Sequence, residues 1–480
     1  MPGHATSFGA DTCVVEGVSL RVSTPTHSLL RTSTEIAAPS RRMIQVSKPE
    51  HADSAADERR QTYAARADRS GGSVKVVLYS HDTFGLGHLR RNLAIATRLL
   101  ECEGRFSVRL LTGSPVIQQW NLPPGLRVQP LPPVVKTGAE QYAARDGDQL
   151  FGMVKGYREA LILKTILRYR PDVFLVDHAP AGMNGELLST LALIRRELPQ
   201  TRTIIGLRDI LDSPATVQKL WREQEIYPLL EQAYDDIFVY GSRALFDVVE
   251  GYGMSPSLGA RVRYCGHVVA APAAHARPAG AEQTQPCWNP ERPQGRPVVL
   301  VTAGGGGDGF FLMDAYLRAL AHLPWGSVHS VVVTGPLMPG DESDALRQRA
   351  AGRPDVELVD YTTDLVPSLR AADLVVAMAG YNTSAEIMAL RKRAILVPRA
   401  APRAEQRMRA GLLAKLGAVW SVEPDADLVQ KLAALIPAAL TAPPLLESAS
   451  AVIDLNGAER VAQYLLESSC ATATPLERRA

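Results

Sequence analysis

The chain keeps returning to one pattern: a short apolar run rich in β-branched residues, a loop carrying glycine, and then an Ala/Leu/Arg-rich helical stretch. The first instance is the run 74–80, which gives way to Gly85 and Gly87 and to helical sequence from about Leu89. Strand-like runs follow at 108–111, 173–176, 203–207 and 237–240, with helical sequence such as 185–198 between them. Strands that alternate with helices bury both faces of a sheet when they run parallel and the helices cross over on either side. The pattern therefore predicts an α/β fold with a doubly wound parallel sheet. A second series at 298–302, 328–334, 356–359, 374–378, 394–397 and 418–422 predicts a second sheet of the same kind.

Between the two series, residues 270–296 are rich in Ala, Pro, Gly and Gln without apolar periodicity and read as a linker. Residues 1–72 also lack periodicity and are rich in Ser, Thr, Ala and Arg, so they read as a disordered extension. The expected organisation is an extension (1–72), a first Rossmann-like domain (73–269), the linker, a second Rossmann-like domain (297–445), and a C-terminal helix and tail (446–480). The helical pattern 458–466 could pack back on the first domain. In sheets of this order, ligands bind beyond the carboxyl ends of the strands, which directs attention to the loops there and to a cleft between domains.

A chain of 480 residues with 46% hydrophobic and 21% charged residues has the balance of a globular protein. A net charge of +2 gives no support to a nucleic-acid partner. The five cysteines, at positions 13, 102, 265, 287 and 470, include no Cys-x-x-Cys pair, which argues against a disulfide framework or a zinc site and fits a reducing cytoplasm. No apolar run reaches the length of a membrane-spanning helix, and no secretory signal stands at the start. The expectation is a cytoplasmic protein that binds no metal, with peripheral contact at the inner face of the cell membrane left open.

Four strand-to-helix loops carry the chemistry. In the first, Gly85 and Gly87 let the backbone approach a ligand, and His88 stands where the helix begins, with a pKa suited to taking a proton from a hydroxyl. The plain structural alternative is a histidine that only bonds the loop. Arg90 stands where a dinucleotide fold would want a third small residue, so NAD binding is disfavoured. In the second loop, Gly304, Gly305 and Gly306 suit amides that cradle a diphosphate, and no Walker lysine follows. In the third, Gly380, Tyr381, Asn382 and Thr383 open a helix whose amides can hold phosphate, and Glu386 could accept hydrogen bonds from a ribose. Thr383 to Glu386 is also a capping-box pattern, in which Asn382 or Thr383 would cap the helix and Glu386 would only satisfy the cap. In the fourth, Glu405 and Gln406 could bond sugar hydroxyls, while Arg399 or Arg403 neutralises phosphate. Two further pairs end strands in the first domain, Asp177 with His178 and Arg208 with Asp209, and either could line an acceptor side.

Together these segments resemble the GT-B glycosyltransferases, in particular the MurG-like branch whose C-terminal domain is of the glycosyltransferase family 28 type. The likeness spans roughly 74–466. Gly85 to His88 match that branch's Gly-His acceptor loop, and Gly304 to Gly307 its second Gly-rich loop. Gly380, Thr383 and Glu386 match its Gly-x-x-Thr-x-x-Glu ribose segment, and Glu405-Gln406 its acid/Gln-Gln pair. Arg409 stands where the branch often has Asn. A bacterial group of predicted glycosyltransferases shares Gly-Tyr-Asn-Thr and Val-Pro-Arg followed by Glu-Gln.

The resemblance implies two facing domains and inverting, metal-independent transfer of a hexose or N-acetylhexosamine, without a cofactor. The donor would be a nucleotide diphosphate, UDP by default. The acceptor hydroxyl would belong to a carbohydrate, lipid-linked or small molecule in cell-envelope, exopolysaccharide or glycolipid synthesis. His88 would be the base, Gly85, Gly87, Arg208 and Asp209 the acceptor side, with Asp177 or Asp209 as substitute bases. A sugar-nucleotide 2-epimerase or a non-catalytic nucleotide-sugar binder are the alternatives.

Overall fold

A computed structural model describes residues 73–81, 87–119, 122–138, 141–144, 150–269, 285–289, 291, 295–362, 364–399, 403–443 and 452–470. The extension 1–72, Gly85 with its loop neighbours, much of the linker and the last ten residues lie outside the described residues. All the described residues fall in one compact unit, 51–480.

The first lobe is a seven-stranded sheet built from β1 (Val74–Tyr79), β2 (Phe106–Thr112), β3 (Arg127–Pro130), β6 (Val173–Asp177), β7 (Arg202–Arg208), β8 (Asp236–Tyr240) and β9 (Val262–Tyr264). A separate antiparallel ribbon, β4 (Val134–Gly138) and β5 (Gln141–Ala144), interrupts the series. The strand order β3-β2-β1-β6-β7-β8-β9 reverses between β1 and β6, which pair in parallel with Val76 opposite Val173. The second lobe repeats the plan with β10 (Val298–Thr302), β11 (His329–Val333), β12 (Val356–Val359), β13 (Leu374–Ala377), β14 (Ala394–Leu396) and β15 (Trp420–Ser421). Its order, β12-β11-β10-β13-β14-β15, reverses between β10 and β13. Such reversal points open a crevice beyond the strand ends, because the flanking helices leave towards opposite faces there. Both crevices fall at the loops singled out in the sequence.

Alternate side chains of a strand reach opposite faces, and the core follows that rule. Val77 and Tyr79 join Phe174 and Leu207 under one helical layer, while Val76 and Leu78 join Leu89 and Ile95 under the other. The second sheet divides in the same way, with Leu300 on one side and Val299 and Val301 on the other.

Five helices bear on the cleft, its surroundings and the way the lobes join: α1 (Gly87–Glu101), α2 (Phe151–Tyr169), α3 (Tyr381–Ala389), α4 (Glu405–Lys415) and α5 (Gly457–Cys470). The last returns from the second lobe to the first. Its Val461, Ala462 and Leu465 are buried in the first lobe's core beside Leu89 and Leu93 of α1. The two passages of chain between lobes run together there: His267 N donates to Asp454 O at 2.6 Å, and Gly457 N to His267 O at 3.0 Å.

Candidate active site

A cleft of about 250 Å³ lies between the lobes, over both reversal points. The first lobe lends it Gly87, His88, Arg90, Arg91 and Arg208, and the second lends Gly304, Gly305, Gly380, Tyr381, Asn382, Thr383, Arg399, Glu405 and Gln406. Segments far apart in the chain are thus brought to one place by two copies of the same topology.

On the first-lobe side, β1 and β6 are neighbours, so the start of α1 lies beside the end of β6. His88 Nδ1 is 2.6 Å from Asp177 Oδ2, and Arg91, one turn further along α1, grips both oxygens of Asp177 at 2.7 and 2.8 Å through Nη2. Burial pushes the Asp177 carboxyl up, but Arg91 and His88 outweigh it and hold the pKa at about 2. An ionised carboxylate only accepts, so Nδ1 of His88 carries the hydrogen and Nε2 keeps its lone pair. Arg91 Nη2, 3.0 Å from the same Nδ1, then lies beside the ring without bonding it. Burial, the largest influence, together with Arg91 and Arg208 lowers the His88 pKa against the pull of Asp177, so the ring is neutral at neutral pH. His178 and His81 surround it, with ring centroids 5.1 and 5.8 Å away. His178 adopts a left-handed φ of 69°, and burial, then Arg208, pushes its pKa far down.

On the second-lobe side, the loop after β10 is shaped by close backbone contact. Gly306 has φ of 87°, and a Cβ there would stand 2.0 Å from the carbonyl oxygen of Thr334, so no other residue fits. Gly304 and Gly305 line the cleft, whereas Gly306, expected beside the donor, is turned against Thr334 and does not. Helix α3 begins at Tyr381, with Gly380 at the cap position and no side-chain cap. Thr383 is therefore already inside the helix, and neither it nor Asn382 caps it, which removes the capping-box reading of Glu386. Tyr381, Asn382 and Thr383, whose amides have no partner within the helix, line the cleft.

Several residues expected to touch ligand also join the lobes. The Tyr381 ring enters the first lobe's core, stacked on His267, and its hydroxyl accepts from Val268 N at 2.9 Å. Asn382 Nδ2 donates to Gly87 O at 3.1 Å. Glu386, 3% exposed, pairs with Arg90, while its Oε2 is buried without a hydrogen-bond partner. Burial raises its pKa against the pull of Arg90. Glu386 lies beside the main cleft, in a small recess shared with Arg90 and Asn382.

Asp209 does not line the cleft as expected; it is buried and forms a two-pronged pair with Arg409 of α4, at 2.7 and 2.8 Å. Arg409 also donates to Ala379 O at 2.8 Å. Asp212, which no sequence pattern singles out, accepts from Ala404 N at the start of the same helix at 2.9 Å. Arg399, expected on phosphate, spans Asp308 at 2.8 Å and Glu405 at 2.6 Å, and its backbone N donates to Gln406. Arg403 stands outside the cleft lining but within electrostatic range of Arg208 and His178. Among the described residues no group of His, Cys, Asp and Glu is placed to hold a metal ion, and no helix is long and apolar enough to cross a membrane.

Residues 298–465 match the glycosyltransferase family 28 C-terminal domain. A UDP-N-acetylglucosamine–N-acetylmuramyl-(pentapeptide) pyrophosphoryl-undecaprenol N-acetylglucosamine transferase of Methylorubrum populi is 30% identical over 190 residues, 38% of this chain and 51% of that protein. The chain spans about half the length of the curated relatives it matches. Among solved structures, MurG of Acinetobacter baumannii superposes with a TM-score of 0.50 at 14% identity, over 82% of this chain and 99% of that one. A chain from Listeria monocytogenes assigned as a UDP-N-acetylglucosamine 2-epimerase gives 0.57 at 13% identity, over 85% and 100%. At such identities the likeness is one of fold: two facing Rossmann-like lobes, the GT-B architecture.

Proposed function

Because the chain is MurG-like, with GT-B architecture and a glycosyltransferase family 28 C-terminal domain, we propose that it transfers a sugar from a nucleotide diphosphate to an acceptor hydroxyl. The observation that carries this reading is the paired architecture of the cleft: a neutral histidine oriented by Asp177 on one wall, and a glycine loop with the open N-terminus of α3 on the other. The same fold hosts other chemistries, so the site and not the fold decides.

In the proposed reaction the acceptor oxygen bonds to the anomeric carbon as the carbon–oxygen bond to the diphosphate breaks, and His88 Nε2 takes the hydroxyl proton. Asp177 fixes the ring and stabilises the imidazolium that forms. Attack opposite the leaving group inverts the anomeric centre. Amides at Gly304, Gly305 and the start of α3 take up the charge of the departing diphosphate in place of a metal. Glu386, with one oxygen free of partners, holds the ribose, and Glu405 and Gln406 contact the sugar. UDP-N-acetylglucosamine is the first donor to try, by likeness to the Methylorubrum relative.

The acceptor we favour is lipid-linked and met at the inner face of the membrane. Leu150, Met153 and Tyr157, at 74%, 71% and 59% exposure, form one stripe at the start of α2, and Lys164 and Arg168 follow on the same helix. Apolar residues with basic neighbours suit peripheral contact with an anionic bilayer.

The test is a panel of UDP- and dTDP-sugars, read by thermal shift and by release of nucleoside diphosphate. One UDP-sugar should raise the unfolding midpoint and be turned over slowly with water as acceptor. His88→Ala should keep donor binding within about 3-fold and lose turnover by about 100-fold or more. A chain that no nucleotide sugar stabilises would sink the proposal, and an epimerised donor in place of released diphosphate would replace it with epimerisation.

A further inference from the structure

The arginines around the cleft are engaged, with one clear exception on its wall. Arg91 is held by Asp177, Arg90 by Glu386, Arg399 by Asp308 and Glu405, and Arg409 by Asp209. Arg208, at the end of β7, lines the same cleft with no hydrogen-bond or ion-pair partner among the described residues, and its Nε is buried. Its neighbours make matters worse for it: burial, then Arg91 and Arg409, push its pKa down to about 10. Glu405, which attracts it, is already bonded to Arg399, although Glu405 Oε2 has no hydrogen-bond partner.

Holding a half-buried guanidinium, its Nε without a partner, beside other arginines costs free energy that the attraction of Glu405 offsets only in part. An incoming oxyanion would return it, and a planar fork of N–H donors matches phosphate or carboxylate oxygens two at a time. Arg208 is also close enough to depress the His88 pKa, so the anion it takes would lie beside the attacking hydroxyl.

We propose that Arg208 is an oxyanion-binding residue of this cleft, taking a phosphate or carboxylate oxygen either from the donor diphosphate or from an anionic group on the acceptor. The two sources share one chemistry and differ in when the contact forms. The assignment of those sources rests on the sugar-transfer reading; the anion site itself does not.

Calorimetric titration of the wild-type chain, Arg208→Gln and Arg208→Lys with UDP, uridine and inorganic pyrophosphate separates the cases, with pyrophosphate added both to free and to UDP-saturated protein. A donor contact predicts UDP affinity down at least 10-fold in Arg208→Gln, uridine affinity unchanged, and partial recovery in Arg208→Lys. An acceptor contact predicts unchanged UDP affinity but loss of pyrophosphate binding to the UDP-saturated chain. Either outcome supports the site. Unchanged UDP affinity with no Arg208-dependent pyrophosphate binding overturns it. So does a fall in unfolding midpoint with uridine binding weakened alongside UDP, which would mark a structural role; the ligand-free Arg208→Gln midpoint should equal or exceed the wild type's. If wild type binds neither UDP nor uridine but binds pyrophosphate through Arg208, the transfer reading fails and the anion site stands.

Discussion

Asp177 governs two measurable properties of the site. It raises the His88 pKa against a net lowering by burial, Arg91 and Arg208, so the acid limb of kcat/KM should lie below that of an ordinary histidine, about 6.5. Asp177→Asn removes the raising influence; the limb should move further down and the plateau rate should fall about 100-fold. The same carboxyl titrates near 2 when folded and near 3.9 when unfolded, so its stabilisation is fully present above about pH 5 and is lost as pH falls towards 2. On the order of 2 kcal/mol is at stake, and denaturant unfolding should show the gap between wild type and Asp177→Asn shrinking by that amount across the window. Glu386→Gln should weaken UDP binding about 10-fold by calorimetry; unchanged affinity would confine Glu386 to its pairing with Arg90. His88 was legible in the sequence from its place after a strand and two glycines. Asp177 was singled out too, as a strand end, but its pairing with His88 was not legible, because Asp177 lies on another strand and only the crossover topology makes β1 and β6 neighbours. Asp212 left no signal at all: its task is set by a backbone amide of the other lobe.

At the level of elements, the loop 208–212 and helix α4 act as a clasp. Arg409→Met or Asp209→Leu alone strands a buried charge and should cost about 3 to 5 kcal/mol, whereas the double substitution should cost clearly less than the sum, read as a double-mutant cycle by denaturant unfolding. In α2, Met153→Asp should reduce flotation with anionic vesicles without changing the unfolding midpoint, since Met153 is 71% exposed. The start of α3 shows how tertiary contacts override local pattern. Thr383 and Glu386 have capping-box spacing, yet the helix begins two residues before Thr383, where Tyr381 is anchored by His267 and Val268. The fold's interior strands were plain in the sequence because they are buried on both faces and therefore continuously apolar. The edge strand β3 was not, being four residues long, part-exposed and ended by Pro130.

For the whole molecule, the repeated alternation of strand and helix was enough to read two parallel sheets, and their reversal points placed the cleft. What alternation does not contain is the return of α5 to the first lobe. Leu465→Ala, in that lobe's core, should cost about 3 kcal/mol, and the loss should be felt by the first lobe rather than by the second lobe that immediately precedes α5 in the chain. That return also orders events on the ribosome. The groove over α1 that receives Val461 and Leu465 emerges with the first lobe, and its filling is translated only after the entire second lobe. The first lobe's core therefore cannot be completed during synthesis until α5 has been made, after the whole of the second lobe.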